Sequence, residues 1–272
     1  MAPPFRESNV LDAILMGLVE GLTEFLPISS TGHMILLGEL IGFQGPPGKA
    51  FEISIQLGAI LAVIVLFRAR ILALARGALV RGSDERAVAV NLLLAFLPAM
   101  VMGATLHGVI TGLLFNPWVV CAALILGGIA IILIERRVRV PSIRRLEEMG
   151  PGTALLIGLG QVLAMIPGTS RSGATIIAAL LCGVERRAAA EFSFLLAIPT
   201  MLAAAAYSLL KVRHELSSDG LALIAVGFLT AFVVALATVK LVMAFISRIG
   251  FTPFGWYRIA LGLVMLAVLG WG

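Results

Sequence analysis

The sequence predicts an all-α polytopic membrane protein with six transmembrane helices, two re-entrant helical hairpins and an inverted-topology repeat. Three observations carry this expectation. The 272 residues are 60% hydrophobic and only 13% charged, with a mean hydropathy of +1.07, whereas a soluble domain is nearer half apolar and a quarter charged. Six apolar stretches have the roughly 20 residues needed to span a hydrocarbon core of about 30 Å. Four shorter apolar pieces come in two pairs, and each pair is joined by a polar, Gly/Ser-rich string that lipid excludes unless it lines a site.

In chain order, the first nine residues carry no signal-peptide pattern. Residues 10–26 form an apolar piece ended by Pro27, and 33–43 is too short to cross, because an 11-residue helix rises only about 16 Å. Crossings follow at 50–67, 88–106 and 117–135. The second short pair is 152–166 and 173–184, and the last three crossings are 188–210, 221–247 and 254–271. Each short pair reads as a re-entrant hairpin whose tip meets the other at membrane depth, where irregular backbone is tolerated only beside protein or a water-filled cavity.

Charge orients this arrangement. The net charge is +5, but most of the arginines fall in short loops, so the basicity reflects membrane topology and not a nucleic-acid partner. Residues 68–86 hold Arg68, Arg70, Arg76, Arg81 and Arg86, and 136–145 hold Arg136, Arg137, Arg139, Arg144 and Arg145. Both loops are expected to be cytoplasmic. The turn at 107–117 and the loop after Leu210 then lie outside, and 247–253 lies inside. The first hairpin opens outward and the second inward. Cys121 and Cys182 stand alone in apolar stretches and read as buried small hydrophobes.

An internal repeat agrees with that opposition. Pro27-Ile28-Ser29-Ser30 parallels Pro167-Gly168-Thr169-Ser170 at an offset of 140, and Glu20 parallels Gln161 with a one-residue slip. Residues 51–57 echo 190–196 at an offset of 139. The chain reads as one membrane domain, 1–272. Its first inverted half is 10–116, a connecting crossing and cytoplasmic basic loop occupy 117–151, and the second inverted half is 152–272. Inverted repeats with broken helices and a midplane site are a transporter-like architecture.

The polar strings hold the candidate chemistry. Glu20 and Glu24 are four apart and share a helix face. As carboxylates in a membrane segment they either share a proton, bind a divalent cation or pair with a cation from elsewhere. Ser29, Ser30 and Thr31 fall where the helix after Pro27 begins. Hydroxyls commonly cap that end, and its free N–H groups also make it an anion site. His33, one turn in, suits a general acid/base or a phosphate ligand. The string Thr169-Ser170-Arg171-Ser172-Gly173 repeats the arrangement with a fixed positive charge, and Thr175 lies one turn further on. Arg171 matches phosphate bidentately; the other reading of it is an ion pair with Glu20 or Glu24. Gly168 and Gly173 permit close backbone approach. Glu52 and Glu191 occupy equivalent repeat positions and read as supports for the hairpin backbone. The substrate expected from this set is anionic and lipid-borne. Carboxylates repel phosphate, so a cation should sit between them, and oxygen ligands alone favour Mg²⁺ or Ca²⁺ over zinc.

At these residues the chain resembles the undecaprenyl-diphosphate phosphatase family of the bacitracin-resistance type. The family's acidic signature is matched by residues 20–33 and its second signature by residues 167–175. Residues 51–56 and 191–199 also resemble the family, and the likeness covers essentially the whole chain. The resemblance implies hydrolysis of undecaprenyl diphosphate to undecaprenyl phosphate, which recycles the carrier lipid for cell-wall synthesis and confers bacitracin resistance. It implies an enzyme of the bacterial plasma (inner) membrane, dependence on a divalent cation, a site reached from the outer, periplasmic face, and a homodimer. Carried over by position, Glu20, Glu24, Ser30, His33, Ser170 and Arg171 are the catalytic candidates. Glu20 and Glu24 are the candidate metal ligands, with Ser29, Thr31, Thr169, Ser170, Ser172, Gly173 and Thr175 around the substrate. Ser30 or His33 attacks phosphorus, or one of them activates water. The competing reading is a polyprenyl-phosphate flippase or an ion-coupled transporter, in which Glu20 and Glu24 relay protons.

Overall fold

The computed structural model describes residues 7–43, 50–114, 116–137, 140–212 and 218–271. Among them the chain forms eleven α-helices and no strand, only an isolated bridge between Ile143 and Val184. Arg139 and the segment after Val212, both used in the topology reading, lie outside the described residues, as does the side chain of His107.

The short pieces are helices α1 (Glu7–Thr23), α2 (Ser30–Ile41), α7 (Pro151–Val162, continued by a 3-10 turn Leu163–Met165) and α8 (Arg171–Leu181). The long ones are α3 (Ala50–Leu66), α5 (Asp84–Leu114), α6 (Pro117–Arg137), α9 (Arg186–Val212), α10 (Ser218–Ile249) and α11 (Thr252–Trp271). Helix α4 (Arg68–Gly77) occupies part of the region expected to be a basic loop. Its run of Ala, Leu and Arg has high helix propensity, and it leaves α3 through a bend of 72°. Among the described residues five helices are long and apolar enough to cross a membrane, or six if α3 and α4 count as one bent span. Helix α5 runs on to Leu114, so the turn expected at 107–117 is much shorter than the sequence suggests. Asn116 starts the next helix, its Oδ1 accepting the Val119 N–H at 3.0 Å.

Helix α10 is the packing axis, lying against both α1 and α3. Gly17 and Gly21, four apart on α1, let the backbones nearly touch: a Cβ at either would strike the carbonyl oxygen of Gly227 or Ala231. Ala13, Met16, Ile55 and Leu223 are buried together there, with Leu37 and Ile41 of α2 packed onto them. The start of α1 and the end of α2 therefore sit by the beginning of α10.

The opposite end of the bundle is joined by polar contacts. Arg70 pairs with Glu147, and the Ser142 N–H reaches Gly183 O at 2.9 Å, which brings the residues before α7 beside the end of α8. Buried Glu135, at the end of α6, accepts the Phe251 N–H, the Thr252 N–H and the Thr252 hydroxyl, and takes the Arg186 Nε–H at 2.7 Å. One carboxylate thus covers the start of α11 and ties it to the start of α9. Within the 140–150 segment, the Arg144 N–H (2.8 Å) and the Arg145 guanidinium (3.1 Å) hold the Glu148 carboxyl below its ordinary pKa range. Cys121 and Cys182 are both free thiols.

Glu191 departs from expectation. It pairs with Arg70 at 3.4 Å and does not brace the hairpin backbone, because α4 folds back to bring Arg70 against α9. Replacing Glu135 with Ala strips the α11 N–H groups of their acceptor and leaves Arg186 unpaired. The expected cost is about 2–4 kcal/mol, seen as a lower melting temperature in detergent, with Glu135→Gln less affected. An unchanged melting temperature in Glu135→Ala would refute this role.

Candidate active site

The site is built where two helices begin. After α1 the chain turns through 24–28, and α2 starts with Ser29 as N-cap. After the 3-10 turn the chain passes Pro167 and Gly168, and α8 starts with Ser170 as N-cap. Both caps hold φ near +70°, at 71° for Ser29 and 69° for Ser170, and they are the two non-glycine residues with positive φ among those described. Such conformations cost on the order of 1–3 kcal/mol each and persist where the surroundings enforce them. Each Ser Oγ accepts the N–H three residues on, from Gly32 at 3.4 Å and from Gly173 at 3.1 Å. The two caps align at an offset of 141, the offset of Glu20 and Gln161, and not at the 140 read from the prolines. In that register Ser30 matches Arg171.

The two turns touch. The Ser172 hydroxyl donates to Leu26 O at 2.8 Å and lies 3.1 Å from Ser170 Oγ. A cavity of about 150 Å³ opens between them. Glu24, Ser29, Ser30 and Thr31 line one wall, and Ser170 and Arg171 line the facing one. Gln56 of α3, Met201 of α9, Ala164 and residues 166–168 also contribute to its lining. Two helix N-termini and a guanidinium thus meet at one small space, a setting that favours an anion.

Within it the Ser30 hydroxyl donates to Glu24 Oε2 at 2.5 Å, the length of a charge-assisted O–H···O⁻ bond. The other Glu24 oxygen faces Arg171 at 3.4 Å. Arg171 also donates to Ser193 O at 3.1 Å, and its Nε–H is buried without a partner. Thr175 does not reach the cavity: its hydroxyl bonds back to Arg171 O and lies 2.7 Å from Ser193 Oγ, bracing the base of Arg171. Thr169 points a carbonyl away, and Ser172 and Gly173 sit behind the cap.

Glu20 and His33 also fall outside the lining. Glu20 is 4% exposed, one turn before Glu24, and its Oε1 has no partner. His33 lies on the far side of α2, with Nδ1 2.8 Å from Ser29 O and Nε2 2.7 Å from the Tyr257 hydroxyl. As donor to Ser29 O, the ring takes the tautomer whose Nε2 accepts from Tyr257. Among the described residues no group of three or more His, Cys, Asp or Glu converges as a metal cluster. The Glu20 oxygen without a partner and the Glu24 carboxylate one turn on are oxygen donors of the type that suits Mg²⁺ or Ca²⁺.

Two residues escaped the sequence reading. Arg258, fully buried in α11, donates to the carbonyls of Pro27 and Thr169 in the two turns. Tyr257, beside it, holds His33. The signal was present: an arginine inside the expected crossing 254–271 invites the argument applied to Arg171.

The family model described as "Bacitracin resistance protein BacA" matches residues 13–264. Over 260 residues the chain is 54% identical to "Undecaprenyl-diphosphatase 2" of Paramagnetospirillum magneticum, covering 96% of this chain and 99% of that one. It is also 54% identical to "Undecaprenyl-diphosphatase" of Sphingopyxis alaskensis, covering 95% and 97%. Against "Undecaprenyl-diphosphatase 1" of Agrobacterium fabrum the identity is 47%, covering 97% and 99%.

The strained caps allow a direct test. Ser170→Ala keeps the left-handed conformation without the hydrogen bond to Gly173, whereas Ser170→Gly adopts that conformation freely. Ser170→Ala is expected to lose about 1 kcal/mol or more and Ser170→Gly only a few tenths. Melting temperatures in detergent should follow that order, and equal values would remove strain from the account.

Proposed function

The chain belongs to the bacitracin resistance protein BacA family, and from that premise we propose that it is an undecaprenyl-diphosphatase. It hydrolyses undecaprenyl diphosphate to undecaprenyl phosphate and inorganic phosphate, which recycles the carrier lipid for cell-wall synthesis and confers bacitracin resistance. The observation that carries the reading is the Ser30–Glu24–Arg171 line across a cavity faced by two helix N-termini. Hydroxyl, base and fixed cation in that order suit phosphoryl transfer. The named relatives favour this over the flippase or ion-coupled transporter.

The diphosphate enters with its terminal phosphoryl group at the cap of α2, and Arg171 swings from Glu24 onto phosphate oxygens. Ser30 Oγ attacks the terminal phosphorus while Glu24 Oε2 takes its proton. The bond from phosphorus to the bridging oxygen breaks, and undecaprenyl phosphate leaves with the electron pair and receives that proton. Water then attacks the phosphoserine, giving its proton to Glu24. Ser30 Oγ departs and recovers a proton from Glu24, releasing inorganic phosphate. His33 keeps Ser29, and so the α2 cap, in place. Glu20 and Glu24 would hold a Mg²⁺ or Ca²⁺ ion, which would offset the negative charge of the diphosphate.

The same reading covers the architecture. The chain is one domain in the bacterial inner membrane with six crossings, α3 with α4 counted among them. The pairs α1–α2 and α7–α8 are re-entrant hairpins. The halves 10–116 and 152–272 are inverted about the connection 117–151, the site is open to the periplasm, and the protein is a homodimer. The opening of the two helix pairs toward opposite ends of α10, and the gathering of the basic segments at one of those ends, support the inverted arrangement of the hairpins.

Purified protein in detergent is expected to release phosphate from a polyprenyl diphosphate with Mg²⁺ or Ca²⁺ and to stop in EDTA. Glu24→Ala and Arg171→Ala should be inactive, and Ser30→Ala should lose a factor on the order of 10³ or more in kcat. Retention of configuration at phosphorus is expected of the two-step route. Inversion would exclude a phospho-enzyme, and no release from folded wild type would shift the assignment to lipid transport.

A further inference from the structure

Arg258 is the largest fully buried side chain among the described residues, at 0% exposure, yet it forms no ion pair among them. A guanidinium has five N–H donors, and here five carbonyls receive them. Nε–H reaches Leu124 O at 3.3 Å and the second terminal nitrogen reaches Ala123 O at 2.9 Å, both in the middle of α6. The remaining contacts go to the two turns: Pro27 O at 3.2 Å, Thr169 O at 2.8 Å and Gly168 O at 3.0 Å. Pro27 is two residues before the cap Ser29, and Thr169 is one before the cap Ser170. The guanidinium also packs under the first turn of α8, where a Cβ on Gly173 would meet it at 3.1 Å. Gly127 of α6 leaves the space the group occupies.

We propose that Arg258 is a positioning residue for the reaction: one guanidinium, anchored on α6, sets the spacing of the two cap turns and so of Ser30 against Arg171. This rests on the phosphatase reading. The arrangement is more specific than the fold requires. Burying a cation is expensive, and five neutral carbonyls compensate it only if both turns hold their places together. A shift of the order of 1 Å between reacting groups can cost about 100-fold in rate.

The test uses full-length Arg258→Lys, Arg258→Gln and Gly127→Ala in detergent, with phosphate release followed against polyprenyl diphosphate concentration beside melting temperature. Lysine keeps the charge but has three donors and no fork. Gly127→Ala keeps every charged group, but its Cβ must push the guanidinium tip aside, which a flexible side chain can yield to. Per folded molecule, kcat is expected to fall about 100-fold in both Arg258 variants and about tenfold in Gly127→Ala, with KM within about threefold of wild type. Wild-type kcat per folded molecule, or variants lost wholly to unfolding with no folded species of lowered kcat, would mean that Arg258 serves the fold alone and would overturn the proposal. Wild-type protein without phosphate release would instead overturn the phosphatase reading beneath it.

Discussion

Everything at this site follows from breaking two helices inside an apolar bundle. A broken helix leaves backbone N–H and C=O groups that an apolar interior cannot satisfy, so the protein must supply each partner itself. Ser29 and Ser170 cover N–H groups at the starts of α2 and α8. The carbonyls of Leu26, Pro27, Gly168 and Thr169 are covered by Ser172 and Arg258. The side chains that cover these carbonyls come from the other turn or from α11, so each break leans on the rest of the bundle. The cavity is what remains between two turns that satisfy each other.

That origin explains the electrostatics. The N-termini of α2 and α8 and the Arg171 guanidinium contribute positive potential, and Glu24 partly offsets it while engaging Ser30. Arg258 sits behind the turns, its donors all used, so its role is geometric. Arg171 sits in front with an Nε–H unspent and a loose 3.4 Å contact to Glu24. The two arginines are both deep in the protein and differ in what they still have to give. A fully satisfied cation holds structure, and an under-satisfied one is ready for an anion.

The close helix contacts serve the same end. Gly17 and Gly21 bring α1 against α10, and α11 packs closely on α6. The first of these contacts holds the end of α1, and so the break that follows it, against α10. The Glu135 carboxylate at the start of α11 fixes where that helix begins, and hence where Tyr257 and Arg258 fall along it.

Much of this was legible from residue order. Apolar runs with the right lengths place ten of the eleven helices, because in lipid the backbone has almost no choice but helix once a segment is apolar. The missed one, α4, lay in a charged stretch where loop charge masked good helix propensity. The polar strings announced the site, because Glu20, Glu24, Arg171 and the serines have no reason to sit in apolar sequence otherwise. Which of them meet was a different matter. The pairing of Ser30 with Glu24, the turning of His33 toward Tyr257, the 141-residue register and the use of Arg258 depend on contacts between segments as many as 231 residues apart. Sequence by itself determined the class of fold and the stock of reactive groups, since both follow from local hydropathy and residue type. Tertiary structure alone decided which groups face the cavity, since that depends on how two separated breaks satisfy one another's backbone.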